Sequence, residues 1–219
     1  MNVMSGSFLK ICGITRSADA AHAVDSGATA LGFVFWRRSP RWIDPDRAAE
    51  IVREVSPGVT TVGVFVDESP DVIRRVVAEV GLGAVQLHGD EAPSDARALG
   101  VPVLRAIGLD AFVGARAVWP ADTMWLLDAI DPARRGGTGR QVDWGRAADV
   151  AAQARVILAG GLTPQNVADA IARVRPYGVD VSSGVEESPG VKDFVKVSRF
   201  LANARAAFAG SAGRLVEDR

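Results

Sequence analysis

The chain has 219 residues, of which 48% are hydrophobic and 23% charged, and its formal net charge is -1. That length fits two small domains or one α/β barrel, and the near-neutral charge excludes a general attraction to nucleic acid or anionic membranes. The single cysteine and the two histidines exclude a thiolate metal cluster, and no apolar run is long enough to span a bilayer.

Eight apolar runs alternate with amphipathic stretches along the whole chain. We predict strands at Phe8–Cys12, Ala30–Phe35, Thr60–Val66, Ala84–Leu87, Val101–Ile107, Met124–Asp128, Val156–Ala159 and Gly178–Ser182. We predict that helices begin near Ser17, Pro45, Pro70, Glu91, Asp110, Asp143, Pro164 and Asp193. Strands that alternate with helices form a parallel sheet, and eight such units favour a closed (β/α)8 TIM barrel of the α/β class. An open doubly wound sheet is the alternative.

The composition does not shift along the chain, so we expect one domain. The barrel should occupy residues 8–207, with a flexible N-terminus over 1–7 and a frayed C-terminal tail over 208–219. The N-terminal segment has neither the basic stretch nor the apolar core of a signal peptide, and a lone thiol suits a reducing compartment. We therefore expect a cytoplasmic protein, and we predict a monomer, with a homodimer as the alternative.

The chemistry of such a barrel lies at the C-terminal ends of its strands, and the unusual residues of this chain collect there. Cys12 ends the first strand, where it is either a buried small hydrophobe or a nucleophile or base whose pKa a neighbour lowers. Asp128 ends an apolar strand, where it either has a raised pKa and acts as a general acid or caps a turn. Arg41 lies in the loop after the second strand, and its guanidinium suits a carboxylate or a phosphate.

Lys10 lies two residues before Cys12 on the same strand, so the two side chains share a face. The first and last strands are neighbours in a closed barrel. We therefore predict that Lys10 pairs with Asp180 inside the barrel mouth, because buried charges are costly unless paired. Lys10 would then favour the thiolate of Cys12, although Asp180 partly neutralises it. The alternative is that Lys10 only anchors the core.

Glycine-rich turns follow the last two strands, and they predict a phosphate site because glycine lets backbone N–H groups approach a phosphate closely. Ordinary tight turns are the alternative. The residues of this predicted site are Gly160, Gly161, Ser182, Ser183 and Gly184. The long polar loop at 131–141 is predicted to be a binding loop or lid, with a floppy connection as the alternative. Thr163 before Pro164, and Asp143 before the sixth helix, are predicted to be helix N-caps.

Taken together, the chain resembles the phosphoribosylanthranilate isomerase family from Lys10 to about Ala206. The matching segments occur in family order, and only their combination is specific. They are Lys-Ile-Cys-Gly-Ile-Thr at 10–15, Gly-Phe-Val-Phe at 32–35, Ser-Pro-Arg at 39–41, Gly-Val-Phe-Val-Asp at 63–67, Gln-Leu-His-Gly-Asp-Glu at 86–91, Leu-Leu-Asp at 126–128, Gly-Gly-Thr-Gly at 136–139, Leu-Ala-Gly-Gly-Leu at 158–162 and Val-Asp-Val-Ser-Ser-Gly-Val-Glu at 179–186.

The resemblance implies an Amadori rearrangement of N-(5′-phosphoribosyl)anthranilate in tryptophan biosynthesis, with a phosphosugar substrate and no metal or organic cofactor. It implies that Asp128 is the general acid, that Cys12 is the general base and that Arg41 holds the anthranilate carboxylate. The turns after the last two strands would hold the phosphate. The remaining residues predicted to bind substrate are His88, Gly136, Gly137, Thr138 and Asp180.

Two other readings stay open. Another sugar-phosphate barrel, such as an indole-glycerol-phosphate synthase or a histidine-pathway isomerase, would share the phosphate site but gives no reason for the pair of Cys12 and Asp128. A non-catalytic barrel that binds a phosphate ligand belongs to a different class, and fold alone does not exclude it. A turnover assay separates the two classes.

Overall fold

The structure, a computed structural model, describes residues 7–129 and 141–217, with side chains as far as residue 210. Within these ranges the main feature is a closed barrel of parallel strands in sequential order, β1 to β8. The strands are β1 Phe8–Cys12, β2 Ala30–Val34, β3 Thr60–Phe65, β4 Ala84–Leu87, β5 Val103–Ile107, β6 Met124–Leu127, β7 Val156–Leu158 and β8 Gly178–Val181. The pairing of β1 with β8 closes the ring, so the predicted (β/α)8 barrel is confirmed and the open sheet is wrong.

Most strand boundaries lie within one residue of their predicted positions. The exception is β5, which begins at Val103 and not at Val101. Pro102 precedes it and has no N–H group to donate to a neighbouring strand, although its carbonyl still accepts from Val85. Asp128 and Ala159 fall just beyond their strands, but their N–H groups still donate to the adjacent strand, at 3.2 and 2.8 Å.

The helices pack around the barrel. They are α1 Ser17–Asp25, α2 Pro45–Glu54, α3 Pro70–Val80, α4 Pro93–Ala98, α5 Phe112–Val118, α6 Trp144–Ala151, α7 Val167–Val174 and α8 Phe194–Glu217. Asp143 caps α6 as predicted, accepting from the N–H groups of Gly145 and Arg146. The predicted cap at Thr163 is wrong. Asn166 precedes α7, and its side chain accepts from the Thr163 N–H at 2.8 Å, so residues 163–166 form a turn before the helix begins.

The core has an outer layer between strands and helices and an inner layer within the barrel. Apolar side chains, mostly small or branched, fill the lower barrel together with the aromatic ring of Phe8; Ala30 and Leu126 are among them. Because inward positions alternate along a strand, Lys10 and Cys12 follow Phe8 up the inside of β1. The apolar residues thus close the bottom of the barrel, and the polar layer above them forms the mouth.

The chain after β8 forms an antiparallel hairpin, β9 Glu186–Ser188 and β10 Val191–Lys192, before it enters α8. Helix α8 continues past the predicted domain boundary at residue 207, and Phe208 packs against the core. The fraying of residues 208–219 stays a prediction. Residues 1–6 of the predicted flexible N-terminus lie outside the described ranges. In the part of the chain that the structure covers, no helix combines the length and the apolar character needed to cross a membrane.

Candidate active site

The C-terminal ends of β6, β7 and β8 enclose a pocket at the barrel mouth. Three groups of predicted residues meet there, the acid at the end of β6 and the turns after β7 and β8. The pocket is lined by Asp128, Ala159, Gly160, Gly161, Leu162, Asp180, Val181, Ser182, Ser183 and Gly184. Closure of the barrel therefore brings together side chains that are far apart in sequence.

Lys10 and Asp180 form the predicted ion pair, with 2.9 Å between Lys10 Nζ and Asp180 Oδ1. Lys10 is fully buried, and it also lies within hydrogen-bonding reach of the Cys12 thiol. Burial, the largest single influence, would lower the pKa of Lys10, but the Asp180 carboxylate and Cys12 together outweigh it and the pKa is raised. Lys10 is therefore a permanent cation beside the thiol at neutral pH.

Burial also governs Cys12, and it raises the pKa of the thiol. The charge of Lys10 acts in the opposite direction, and Lys192 adds to it, but neither reverses the effect of burial. As predicted, Lys10 by itself favours the thiolate of Cys12. The pKa of Cys12 nevertheless lies above the usual value for cysteine, because burial has the larger effect. The resting side chain is a thiol at neutral pH.

Gly32 on β2 makes room for this pair. A Cβ atom at Gly32 would lie 2.8 Å from Cys12 Sγ and 3.0 Å from Lys10 Nζ. The first of these distances is shorter than any normal contact, so one of the two functional groups would have to move. The neighbouring strand thus needs glycine at this point for a reason of space and not of backbone conformation.

Asp128 follows the apolar strand β6, and its side chain is only 10% exposed, beside His88 and near Asp180. Burial, with the nearby Asp180 carboxylate as the second cause, raises the pKa of Asp128 to about 6. His88 reaches the same carboxylate, with 3.6 Å between His88 Nε2 and Asp128 Oδ2. The other ring nitrogen of His88 lies 2.9 Å from Gln86 Nε2.

The loop that carries His88 is held by a buried ion pair that sequence reasoning missed. Glu91 accepts from Arg105 at 2.7 Å and from the N–H groups of Asp67 and Gly89. Arg105 also donates to the Gly89 carbonyl at 2.8 Å. The sequence showed Glu91 only as the last residue of a motif and as a predicted helix start, because its partner Arg105 lies on the next strand.

The two glycine turns, which are the predicted phosphate site, lie against each other at the barrel mouth. Gly160 and Gly161 adopt φ of +76° and +66°, a region that favours glycine. A Cβ at Gly184 would lie 1.9 Å from the Leu162 carbonyl oxygen, so glycine also permits the contact between the two turns. Ser182 Oγ is buried and has no hydrogen-bond partner among the described residues. A ligand oxygen would satisfy it.

Arg41 lies at the rim beside the end of β1, where its side chain packs on Gly13. Its guanidinium makes a two-pronged contact with Glu186, at 2.8 Å from Nε and 2.7 Å from Nη2. These bonds engage two of the five N–H groups of arginine, and the other edge remains able to contact a ligand. Glu186 also accepts from Lys192 at 2.8 Å.

The predicted binding residues Gly136, Gly137 and Thr138 lie outside the described residues, so their placement stays a prediction. Among the side chains described, those of residues 7–129 and 141–210, no group of three or more histidine, cysteine, aspartate or glutamate residues is placed to hold a metal ion.

Comparison with known proteins agrees with this arrangement. A family model described as N-(5′-phosphoribosyl)anthranilate (PRA) isomerase matches residues 9–203. N-(5′-phosphoribosyl)anthranilate isomerase of Geobacter sp. (strain M21) is 48% identical over 90% of this chain and 97% of its own length. The corresponding enzyme of Thiobacillus denitrificans is 49% identical over 90% of this chain and 98% of its own length.

Solved structures give the same result. Phosphoribosyl anthranilate isomerase from Thermotoga maritima has a TM-score of 0.84 and 40% identity, covering 92% of this chain and 100% of its own. A structure of the same enzyme type in complex with reduced 1-(o-carboxyphenylamino)-1-deoxyribulose 5-phosphate has a TM-score of 0.81 and 39% identity, with coverage of 92% and 100%. The chain belongs to the N-(5′-phosphoribosyl)anthranilate isomerase family.

Proposed function

We propose that the protein converts N-(5′-phosphoribosyl)anthranilate into 1-(2-carboxyphenylamino)-1-deoxyribulose 5-phosphate, with Asp128 as general acid and Cys12 as general base. The observation that carries this proposal is the barrel mouth itself. It joins a carboxyl group of raised pKa, a thiol beside a buried lysine, and glycine turns suited to a phosphate. A non-catalytic binding protein has no need for the first two.

The reaction opens the ribose ring and moves a hydrogen from C2′ to C1′. Asp128 gives a proton to the ring oxygen as the C1′–O bond breaks, and the nitrogen lone pair forms an iminium at C1′. The Cys12 thiolate then removes the C2′ proton, and the electron pair of that bond flows to the iminium, which gives a neutral enolamine. In the tautomerisation to the ketone, C1′ gains a proton and the C2′ hydroxyl loses one, so the proton count of the acid–base pair can be restored.

This sequence needs Asp128 protonated and Cys12 ionised at the same moment. The pKa of Asp128, raised by burial to about 6, keeps about one carboxyl in ten protonated at pH 7. The raised pKa of Cys12 makes the thiolate the scarcer form. Lys10 and Lys192 oppose that effect of burial, which is their contribution to the chemistry.

The binding roles follow from charge. The free edge of the Arg41 guanidinium suits the anthranilate carboxylate, since arginine binds planar carboxylates through two hydrogen bonds. The turns at Gly160–Gly161 and Ser182–Gly184 suit the 5′-phosphate. His88 and Asp180, which face Asp128 and Lys10, are placed to contact the ribose between these two anionic ends.

The test is a turnover assay that follows the loss of the fluorescence of the substrate. We expect turnover by the wild-type protein and its near-complete loss in Cys12→Ala and Asp128→Ala. A wild-type protein that binds the substrate without converting it would instead be a binding barrel. A phosphosugar substrate, a monomeric state and a cytoplasmic location are also parts of this proposal; the purified protein tests the first two, and fractionation of the cells tests the third.

A further inference from the structure

The hairpin β9–β10 carries two buried charges, Glu186, to which the proposed chemistry gives no part, and Lys192, to which it gives only an electrostatic one. Glu186 is 8% exposed and Lys192 only 2%. Both are polar side chains in a place where burial is costly unless every charge has a partner. Their partners are the residues at the rim of the barrel mouth, which makes the hairpin more than a connection to α8.

Glu186 uses both carboxylate oxygens on Arg41. The two-pronged contact, 2.8 Å to Nε and 2.7 Å to Nη2, fixes the plane of the guanidinium as well as its position. The Gly190 N–H, at 3.3 Å, and Lys192 Nζ, at 2.8 Å, hold the carboxylate from its other side. On the opposite side of Arg41, a Cβ at Gly13 would lie 2.7 Å from Arg41 Cδ, so the arginine is packed closely between Gly13 and Glu186.

Lys192 connects the two halves of the site. Its Nζ donates to the Cys12 carbonyl at 2.6 Å, to the Ser182 carbonyl at 3.4 Å and to Glu186 at 2.8 Å. One ammonium group therefore holds the end of β1, which carries the base, against the turn after β8, where the phosphate would bind. The backbone N–H of Lys192 is itself held by the buried Asp19 carboxylate, at 3.2 Å.

The charges in this cluster do not cancel. Arg41 and Lys192 share the single carboxylate of Glu186, while the neighbouring Asp19 is paired with Arg16 at 2.6 Å. Lys196, whose own charge is paired with Asp193 at 3.5 Å, adds a contact to the Glu186 carbonyl at 2.8 Å. One positive charge is thus left over at a rim that must receive an anionic substrate. An isolated arginine would carry that charge too, but it would be free to change its orientation.

We propose that Glu186 and Lys192 are positioning residues. Glu186 holds Arg41 in the orientation that receives the substrate carboxylate, and Lys192 holds Cys12 in register with the phosphate turn. This inference rests on the proposed roles of Arg41 and Cys12, and it adds two residues that act only through them. Neither of the two needs to touch the substrate.

The first test is a double-mutant cycle between Glu186 and Arg41, read in KM. Glu186→Gln should raise KM by roughly tenfold in the wild-type background, the loss expected when one charge-assisted hydrogen bond is misplaced. It should have little further effect in Arg41→Ala. Glu186→Asp keeps the charge but not the reach, so it should raise KM as well, whereas a residue that only balances charge would tolerate it.

The second test reads Cys12. Lys192→Met should lower kcat and raise the apparent pKa of Cys12 in pH-dependent alkylation, because a cation that favours the thiolate is lost. Lys192→Gln, which keeps a donor without the charge, serves the same purpose if the methionine variant does not fold. Lys196→Met is the matched control, since it removes a nearby lysine at the start of α8 that contacts the Glu186 carbonyl and Asp193 but neither Cys12 nor the Glu186 carboxylate, and it should change neither quantity.

The outcomes separate the inference from the function on which it rests. Absence of turnover in the wild-type protein would overturn the proposed function. With wild-type turnover present, the inference is wrong if Glu186→Gln raises KM equally in both backgrounds or in neither. It is also wrong if folded Lys192 variants keep the wild-type kcat and Cys12 pKa.

Discussion

Lys10 and Asp180 lie directly opposite each other on β1 and β8, and their side chains meet at 2.9 Å inside the barrel. The same lysine lies beside the Cys12 thiol. The seam at which the barrel closes is thus also the place where the proposed base, Cys12, lies beside a cation. Any change to this pair acts on fold and chemistry together, and a suitable probe must report on the thiol itself.

Lys10→Met should raise the apparent pKa of Cys12. The variant removes the cation that favours the thiolate, and it leaves the Asp180 carboxylate to repel the ionised sulfur. Alkylation rates measured across pH, on a variant shown to be folded by circular dichroism, give this pKa directly. If the pKa is unchanged in a folded variant, Lys10 has a purely structural role.

Cys12→Ser and Asp128→Asn should each reduce kcat by about 10²- to 10⁴-fold, the usual contribution of a general acid or base. A hydroxyl is a far weaker base than a thiolate, and an amide cannot protonate the ring oxygen. Asp110→Asn, which changes an exposed aspartate paired with Arg146, is the control and should leave turnover unchanged. A variant at either site with near-normal kcat would contradict the role assigned there.

The pH profile of kcat/KM should be a broad bell. Productive enzyme needs Asp128 protonated and Cys12 ionised, and the pKa of Asp128, near 6, is the lower of the two. Between the two pKa values, a rise in pH lowers the fraction of protonated Asp128 by the same factor by which it raises the fraction of ionised Cys12. The rate is therefore flat in this range. Below about pH 6 Asp128 is already protonated, and the rate falls with falling pH as the thiolate is lost. Above the pKa of Cys12 the rate falls because the acid is lost.

Asp128→Asn tests whether the bend of the pH profile near pH 6 belongs to Asp128. Without a titrating acid, the bend near pH 6 should disappear from the residual activity of the variant, and the profile should rise with pH up to the pKa of Cys12. Retention of a bend near pH 6 in Asp128→Asn would assign it to another group, such as His88.

Arg41→Lys should weaken substrate binding by about 1.5–3 kcal/mol, the range for hydrogen bonds to charged groups. Lysine keeps the charge but lacks the planar fork that contacts a carboxylate and Glu186 together. KM for the natural substrate should therefore rise, while a substrate analogue without the ring carboxylate should be insensitive to the change. Equal losses with both compounds would show that Arg41 does not bind that carboxylate.

Gly184→Ala should destabilise the protein and weaken its affinity for inorganic phosphate. The new Cβ would lie 1.9 Å from the Leu162 carbonyl oxygen, so the turns after β7 and β8 must separate. Overpacking of this kind costs about 1–3 kcal/mol. Gly108→Ala is the control, because nothing lies within 4 Å of its added Cβ. Chemical denaturation of both variants gives the free energies of unfolding, and similar values would contradict the prediction.

Most of the fold was predictable from the sequence because the signals are local. Apolar runs and helix starts follow one another at regular spacing, so the number of units and the closed barrel could be inferred from pattern alone. The position of Cys12 and Asp128 at strand ends, and the pair of Lys10 with Asp180, followed from two further rules. Side chains alternate along a strand, and the first and last strands meet when a barrel closes.

Other features depended on contacts that no local pattern encodes. Arg41 is 145 positions from Glu186, and Lys192 is 180 positions from the Cys12 carbonyl to which it donates. The sequence also placed a helix cap at Thr163, where the side chain of Asn166 accepts the N–H of Thr163 before the helix begins.

The sequence by itself determined on which strands and turns the candidate residues lie, because strand periodicity and glycine turns are properties of short segments. Only the tertiary structure decided their electrostatics. The pKa values of Cys12 and Asp128 are set chiefly by burial, and the orientation of Arg41 by a carboxylate on a distant hairpin. Burial and ion pairing depend on distances through space, and those distances exist only once the barrel has closed.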